Sequence, residues 1–226
     1  MNDGQMRIEF PTYKSSGIAV VKNAIPEITC SGLINKCIEN FETLFSPGPT
    51  LGGHNPKMKN TMDFSFSKQV VESFGLDSSA FSKYEDEVSI GLYSALAMYV
   101  QEYRELQNID LYDTGYRLQK YSPRVGFYRA HSDGDPWSTP PINLRVLGVV
   151  MYLNTVAVGG GTGFPEHDVV IPACTGDISI FPAYWTHPHV GRVPISSDKW
   201  MISTFIVCNE PEHKPIQFEC KPTIIV

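Results

Sequence analysis

Three side chains in this sequence have the types and spacing to hold a metal ion. His131 and Asp133 stand two apart in Tyr128-Arg129-Ala130-His131-Ser132-Asp133. On an extended strand successive side chains alternate faces, so this imidazole and this carboxylate point the same way. They make two-thirds of a two-histidine, one-carboxylate set, which suits non-haem Fe(II) and leaves positions open for exogenous ligands. The third ligand must come from elsewhere. His189, in His187-Pro188-His189, is the candidate, and His187 is its rival because the two share strand parity. Ten residues after His189 stands Lys199, a fixed positive charge of the kind an anionic co-substrate needs.

The elements that must position these residues begin at Tyr116. Segments 117–121, 127–131, 144–153, 169–171, 178–181 and 200–208 are rich in β-branched and aromatic residues and are separated by Gly, Pro, Asp and Asn. Such a series predicts a sandwich, barrel or jelly roll. Ahead of it, 17–21 reads as a short buried strand and 59–66 is ambiguous. Two helices are expected. One runs from Pro26-Glu27 to about Leu44, with Leu33, Ile34, Cys37, Ile38 and Phe41 at helical spacing. The other covers 79–106 and carries the stripe Val88, Leu92, Leu96, Tyr99 and Tyr103. The expected class is α+β, mainly β. It is one domain, 1–226, with 1–115 a helical support region packed on the back of the sheet and 116–210 the β core carrying the site. The irregular stretches 134–141, which contains Trp137, and 159–165 flank the chemistry; with 46–58 they are the loops expected to meet substrate.

The bulk numbers bound the function. With 226 residues, 42% hydrophobic and 19% charged, the chain is a globular protein rather than a disordered one. A net charge of −6 disfavours nucleic acid as a partner. No apolar run approaches the ~18 to 20 residues of a membrane span, and the N-terminus lacks the basic-then-apolar pattern of a signal peptide. The five cysteines (30, 37, 174, 208 and 220) are odd in number and form no C-x-x-C pair. They read as free or buried thiols of a reducing compartment, so the expected location is cytoplasmic.

A lone H-x-D motif is weak, but here it sits in an ordered set. Tyr121 precedes it by ten residues; Tyr152-Leu153-Asn154, Gly160-Gly161-Thr162-Gly163-Phe164-Pro165 and Phe181-Pro182 come after it; then come His189-Val190-Gly191 and Lys199-Trp200. Over 118–207 this set resembles the prolyl-4-hydroxylase-like branch of the 2-oxoglutarate/Fe(II)-dependent dioxygenases. The glycine segment is one residue shorter than that branch's G-G-x-T unless Gly159 is counted. The first 110 residues carry no motif.

The resemblance implies a double-stranded β-helix, or jelly-roll, fold. It implies His131, Asp133 and His189 as iron ligands, His-x-Gly favouring His189 over His187. It implies Lys199 as partner of the distal carboxylate of 2-oxoglutarate, Tyr121 and Tyr152 as residues that help hold it, and Thr162 and Ser203 as further members of that pocket. Fe(II) is then the metal, 2-oxoglutarate and O2 the co-substrates, and ascorbate a candidate reductant. The implied reaction hydroxylates an unactivated C–H while 2-oxoglutarate becomes succinate and CO2. The substrate is a protein or peptide side chain, prolyl by family weight, or a small molecule such as a free amino acid.

The physics agrees with these roles. A lysine buried in a barrel is costly unless paired, and a dicarboxylate would satisfy it with tyrosine hydroxyls sharing the hydrogen bonds. Lys199 and Ser203 share a strand face by alternation. Arg192 is the fallback cation. Arg124, Arg129 and Arg145 read as surface residues or as lining of a substrate entrance, and His54, His167 and His213 as loop residues. Two other classes fit less well. One is a non-catalytic jelly-roll binding module; the other is a cupin-like metalloenzyme that does not use 2-oxoglutarate, in which Lys199 has no task.

Overall fold

The structure is a computed structural model and describes residues 4–140 and 142–208. Cys220, His213, Pro141 and the last two positions of the expected 116–210 core lie outside the described residues.

Antiparallel pairing dominates. The larger sheet runs, in spatial order, Arg7–Glu9, Ala19–Lys22, Ile178–Pro182, Arg145–Tyr152, Lys199–Cys208, Tyr116–Tyr121, Met62–Phe66 and Ser46–Pro47, with Leu111–Asp113 also pairing with Lys199–Cys208. The smaller sheet runs Val169–Ile171, Thr162–Phe164, His189–Gly191, Phe127–His131 and Lys59–Asn60.

Strand alternation gives the larger sheet two different faces. One carries Leu118, Leu147, Val149, Met151, Ile178, Ile180, Trp200, Ile202 and Ile206, which share a core with Cys30, Leu33, Cys37, Val88, Leu92, Ala95, Leu96 and Tyr99 of the helices Glu27–Glu39 and Ser79–Glu102. Each large apolar side chain buried there is worth about 1.5–3 kcal/mol. The opposite face carries Tyr121, Val150, Tyr152, Phe181 and Met201, which pack with Phe164 and Ile171 of the smaller sheet. The site lies on this second face.

Most expected elements appear within a residue or two. The first helix breaks at Asn40 and restarts as Phe41–Leu44, and the long helix ends at Glu102, where Tyr103 turns extended before a 3-10 turn at Arg104–Leu106. One expectation is corrected: 1–115 is not simply a helical support. It supplies strands to the larger sheet and Lys59–Asn60 to the smaller one. The Met62–Phe66 strand alternates Asp63 and Ser65 with buried Phe64 and Phe66, so it satisfies both faces of the sheet it joins.

Candidate metal and co-substrate site

His131 ends its strand and His189 begins another, and the two are direct partners in an antiparallel pair. Their ring centroids are 4.3 Å apart. Asp133 enters just past the strand end, where the backbone N–H groups of Asp133 and Gly134 both donate to the Ala183 carbonyl, at 3.0 and 2.7 Å. Its carboxylate thereby reaches both imidazoles: Oδ1 is 3.4 Å from His131 Nε2 and Oδ2 is 3.5 Å from His189 Nε2. One ligand atom from each residue falls within 4.8 Å of the others. The approach depends on Gly148, where a Cβ would stand 2.5 Å from Asp133 Oδ2 and 2.5 Å from the Phe181 ring.

Backbone carbonyls fix the tautomers. His131 Nδ1 lies 2.8 Å from the Arg129 carbonyl and His189 Nδ1 3.1 Å from the His187 carbonyl. A carbonyl only accepts, so each Nδ1 carries a proton and each Nε2 is the nitrogen turned toward Asp133. Burial works against charge on Asp133, but His189, His131 and Arg145 more than offset it and hold the carboxyl below its ordinary range. Burial holds His189 below its ordinary value. An ionised carboxylate and a neutral imidazole are the states a divalent cation needs.

His187 is not brought to this cluster. Its Nε2 is 2.6 Å from the Ser16 carbonyl, its Nδ1 is 2.8 Å from Thr186 Oγ1, and its ring stacks on His167 at 4.4 Å. The shared parity with His189 does not apply, because the strand begins only at His189.

Lys199 opens the strand Lys199–Cys208 opposite Tyr121 and is 0% exposed. Its Nζ has no hydrogen-bond partner. It lies 4.7 Å from the centre of the Tyr121 ring and 5.5 Å from that of Tyr152. Burial alone lowers its pKa to about 7. The Tyr152 hydroxyl donates to Thr162 Oγ1 at 2.7 Å, which leaves the Thr162 hydroxyl proton to donate onward. The Tyr121 hydroxyl donates to Gln119 Oε1 at 3.2 Å. Burial raises the pKa of both tyrosines, so they are donors.

Lys199, Tyr121, Gln119 and Thr162 line one cavity of about 470 Å³ together with His131, Asp133 and His189, and Tyr152 stands behind Thr162. Ser203 also lines it, but not beside Lys199. It stands level with Arg117, four residues or about 13 Å along the strand, and it accepts from Gln119 Nε2 at 3.3 Å.

Three residues of the cavity had no specific role from the sequence. Of the two places expected for Arg145, the structure gives it the second: it lines the cavity and donates from Nη1 to the Asp133 carbonyl at 2.8 Å. Alternation puts it with Leu147 and Val149 on the helix side, but the register slips between Arg145 and Leu147 and returns it to the site face. Tyr128 is three residues from His131, which by alternation sets it on the other face. It stacks on His131 at 3.6 Å because the register slips between them. Lys59, also missed, is buried beside them and paired with Asp63 at 2.6 Å. Of the expected loops, 46–58 contributes Pro49, Thr50 and Leu51 to the lining, whereas Trp137 is 94% exposed and outside it.

No protein-family model and no curated protein sequence matches the chain. Solved structures do. A viral collagen prolyl hydroxylase from Paramecium Bursaria Chlorella virus-1, in complex with 2-oxoglutarate, matches with a TM-score of 0.59 and 18% identity over 85% of this chain and 97% of that one. A Trichoplax adhaerens prolyl hydroxylase bound to a hypoxia inducible factor peptide matches with a TM-score of 0.63 and 15% identity, over 86% and 84%. A Pseudomonas putida prolyl-4-hydroxylase matches with a TM-score of 0.61 and 15% identity, over 87% and 95%. The chain thus has the prolyl-4-hydroxylase-like fold of the 2-oxoglutarate/Fe(II) dioxygenases.

Proposed function

We propose that this protein is an Fe(II)- and 2-oxoglutarate-dependent oxygenase that hydroxylates an unactivated C–H, of a prolyl or other amino-acid side chain or of a small molecule. The single observation that carries the reading is Lys199: a fully buried ammonium without a hydrogen-bond partner, in the same cavity as His131, Asp133 and His189. A buried unpaired lysine is unfavourable by itself. A dicarboxylate that also reaches the metal answers that cost, and the cupin-like reading leaves it unanswered.

The donor set of two imidazole nitrogens and one carboxylate fits Fe(II). The ion, with 2-oxoglutarate and O2, supplies the oxidising power, and succinate and CO2 leave as co-products. The chain's own residues position and shield. His131, Asp133 and His189 hold the ion on one side. Lys199 holds the distal carboxylate, and Thr162, primed by Tyr152, donates to the same group. Tyr121 walls that end. Phe164 and Phe181, with ring centroids 5.6 and 4.7 Å from His189, keep water from its imidazole. In this reading the two sheets are the halves of a double-stranded β-helix, and the comparisons with prolyl hydroxylases favour a peptide substrate.

The test is anaerobic titration of the Fe(II)-loaded protein with 2-oxoglutarate. It is read as visible charge-transfer absorption and, on admitting air, as succinate. Absorption and succinate that are both lost in Lys199→Ala support the assignment. No absorption at any concentration would end it.

A further inference from the structure

Two guanidinium groups in the cavity have no task in that scheme. Arg117 lies on the same face of its strand as Gln119 and Tyr121 and is level with Ser203 and Ser65 on the neighbouring strands. It is half-buried, lines the cavity, and makes no hydrogen bond or ion pair among the described residues. Arg145 is anchored beside the metal ligands through its bond to the Asp133 carbonyl, and its guanidinium carbon lies 3.6 Å from the centre of the Phe205 ring. Its Nε is buried and has no partner.

The other charges of the cavity are accounted for. Lys59 is paired with Asp63. Among the described residues Asp133 is the single acidic one in the lining. With a divalent ion and a dianionic co-substrate in place, Asp133 and Lys199 complete a neutral set. Arg117 and Arg145 then remain as two positive charges in one pocket, with Ser65 and Ser203 level with Arg117 on the neighbouring strands. Arg117 lies close enough to Arg145 for the two like charges to repel each other. Partly buried guanidinium groups with N–H donors left over, all of them on Arg117 and the Nε of Arg145, call for an anion, and their planar forks match a carboxylate.

Resting on the oxygenase reading, we propose that Arg117 and Arg145 bind the substrate through a carboxylate, so that the substrate is an acid whose reacting C–H lies near its carboxylate. The tie between Arg145 and the Asp133 backbone puts that anion next to the metal ligands. A substrate carrying only amides would leave both charges unanswered. The carboxylate comes either from a free amino acid or from an acidic side chain of a peptide.

The experiment is calorimetric titration of protein saturated with Fe(II) and 2-oxoglutarate under argon. Two sets of probes are used: the free L-amino acids against their carboxamides, and blocked peptides containing Asp or Glu against the same peptides with Asn or Gln. At least one acid should bind tenfold or more tighter than its amide, and Arg117→Gln and Arg145→Gln should each abolish that preference. A preference within the first set identifies a free amino acid, and within the second an acidic peptide. Arg117→Gln removes no hydrogen bond of the folded chain, so its effect reports on binding. Acids that bind no better than amides, or not at all, or a preference that survives Arg117→Gln, overturn the proposal. Failure of 2-oxoglutarate to bind, measured separately, would instead remove the oxygenase reading while leaving the acid preference to be read.

Discussion

His131 and His189 face each other directly across an antiparallel pair, and each donates its Nδ1 proton to the carbonyl two residues behind it. Two imidazoles are thus oriented by backbone carbonyls, with both Nε2 atoms turned toward Asp133. Removing one should lower Fe(II) affinity by at least about 100-fold, since loss of an outer partner alone costs ~10–100-fold. His187→Ala should keep metal binding but lose about 1–3 kcal/mol of stability, because it strips a buried hydrogen bond to the Ser16 carbonyl. Metal titration and urea unfolding of His189→Ala and His187→Ala check this. Equal metal loss in both would refute the division of roles.

Gly148→Ala places a methyl group where Asp133 Oδ2 and the Phe181 ring now approach. The carboxylate must move away from the imidazoles. Metal affinity should fall by about 10-fold or more, at the scale of orienting interactions, and 2-oxoglutarate binding should fall with it. Wild-type metal affinity in this variant would show that the close approach is not needed.

Lys199 gives the protein a pH signature. Its pKa is about 7 when folded and 10.5 ordinarily. Between those values the unfolded chain holds a proton that the folded chain has released. This group therefore makes the ligand-free protein gain stability as pH rises from 7 to 10.5, and its penalty is full below pH 7. Dianion binding runs the other way and should weaken about tenfold per pH unit above 7, because the ammonium must be restored. Lys199→Met should remove both slopes and stabilise the ligand-free protein at about pH 6. Melting curves and co-substrate titrations from about pH 6 to 9 decide it, and parallel wild-type and variant profiles would refute it.

Lys59 and Asp63 are both 2% exposed and joined at 2.6 Å, with Thr61 donating to the other carboxylate oxygen. Lys59→Met leaves a buried carboxylate unpaired and should cost about 3–5 kcal/mol, whereas Lys59→Met with Asp63→Leu should recover most of it. Urea midpoints of the single and double variants measure the difference. Lys59 Nζ also lies 5.1 Å from the centre of the Tyr128 ring that stacks on His131, so the single variant should weaken metal binding as well.

Features dictated by local pattern were legible in the residues alone. Alternation of apolar residues placed the strands around Phe127–His131, Val169–Ile171 and Lys199–Cys208, the helical stripe from Val88 to Tyr99 placed the long helix, and motif order singled out His131, Asp133, His189 and Lys199. Tertiary structure decided the features that depend on register. Slips at Arg145 and Tyr128 reversed the faces that alternation assigns them, and both residues became part of the site. Which of His187 and His189 meets His131 and Asp133 turned on where a strand begins. The isolation of Lys199 Nζ, the pairing of Lys59 with Asp63 and the freedom of Arg117 arise between segments far apart in the chain or on different strands. Period-two patterning fixes which face a residue takes on a regular strand, but it carries no information about a bulge or about which strand lies alongside.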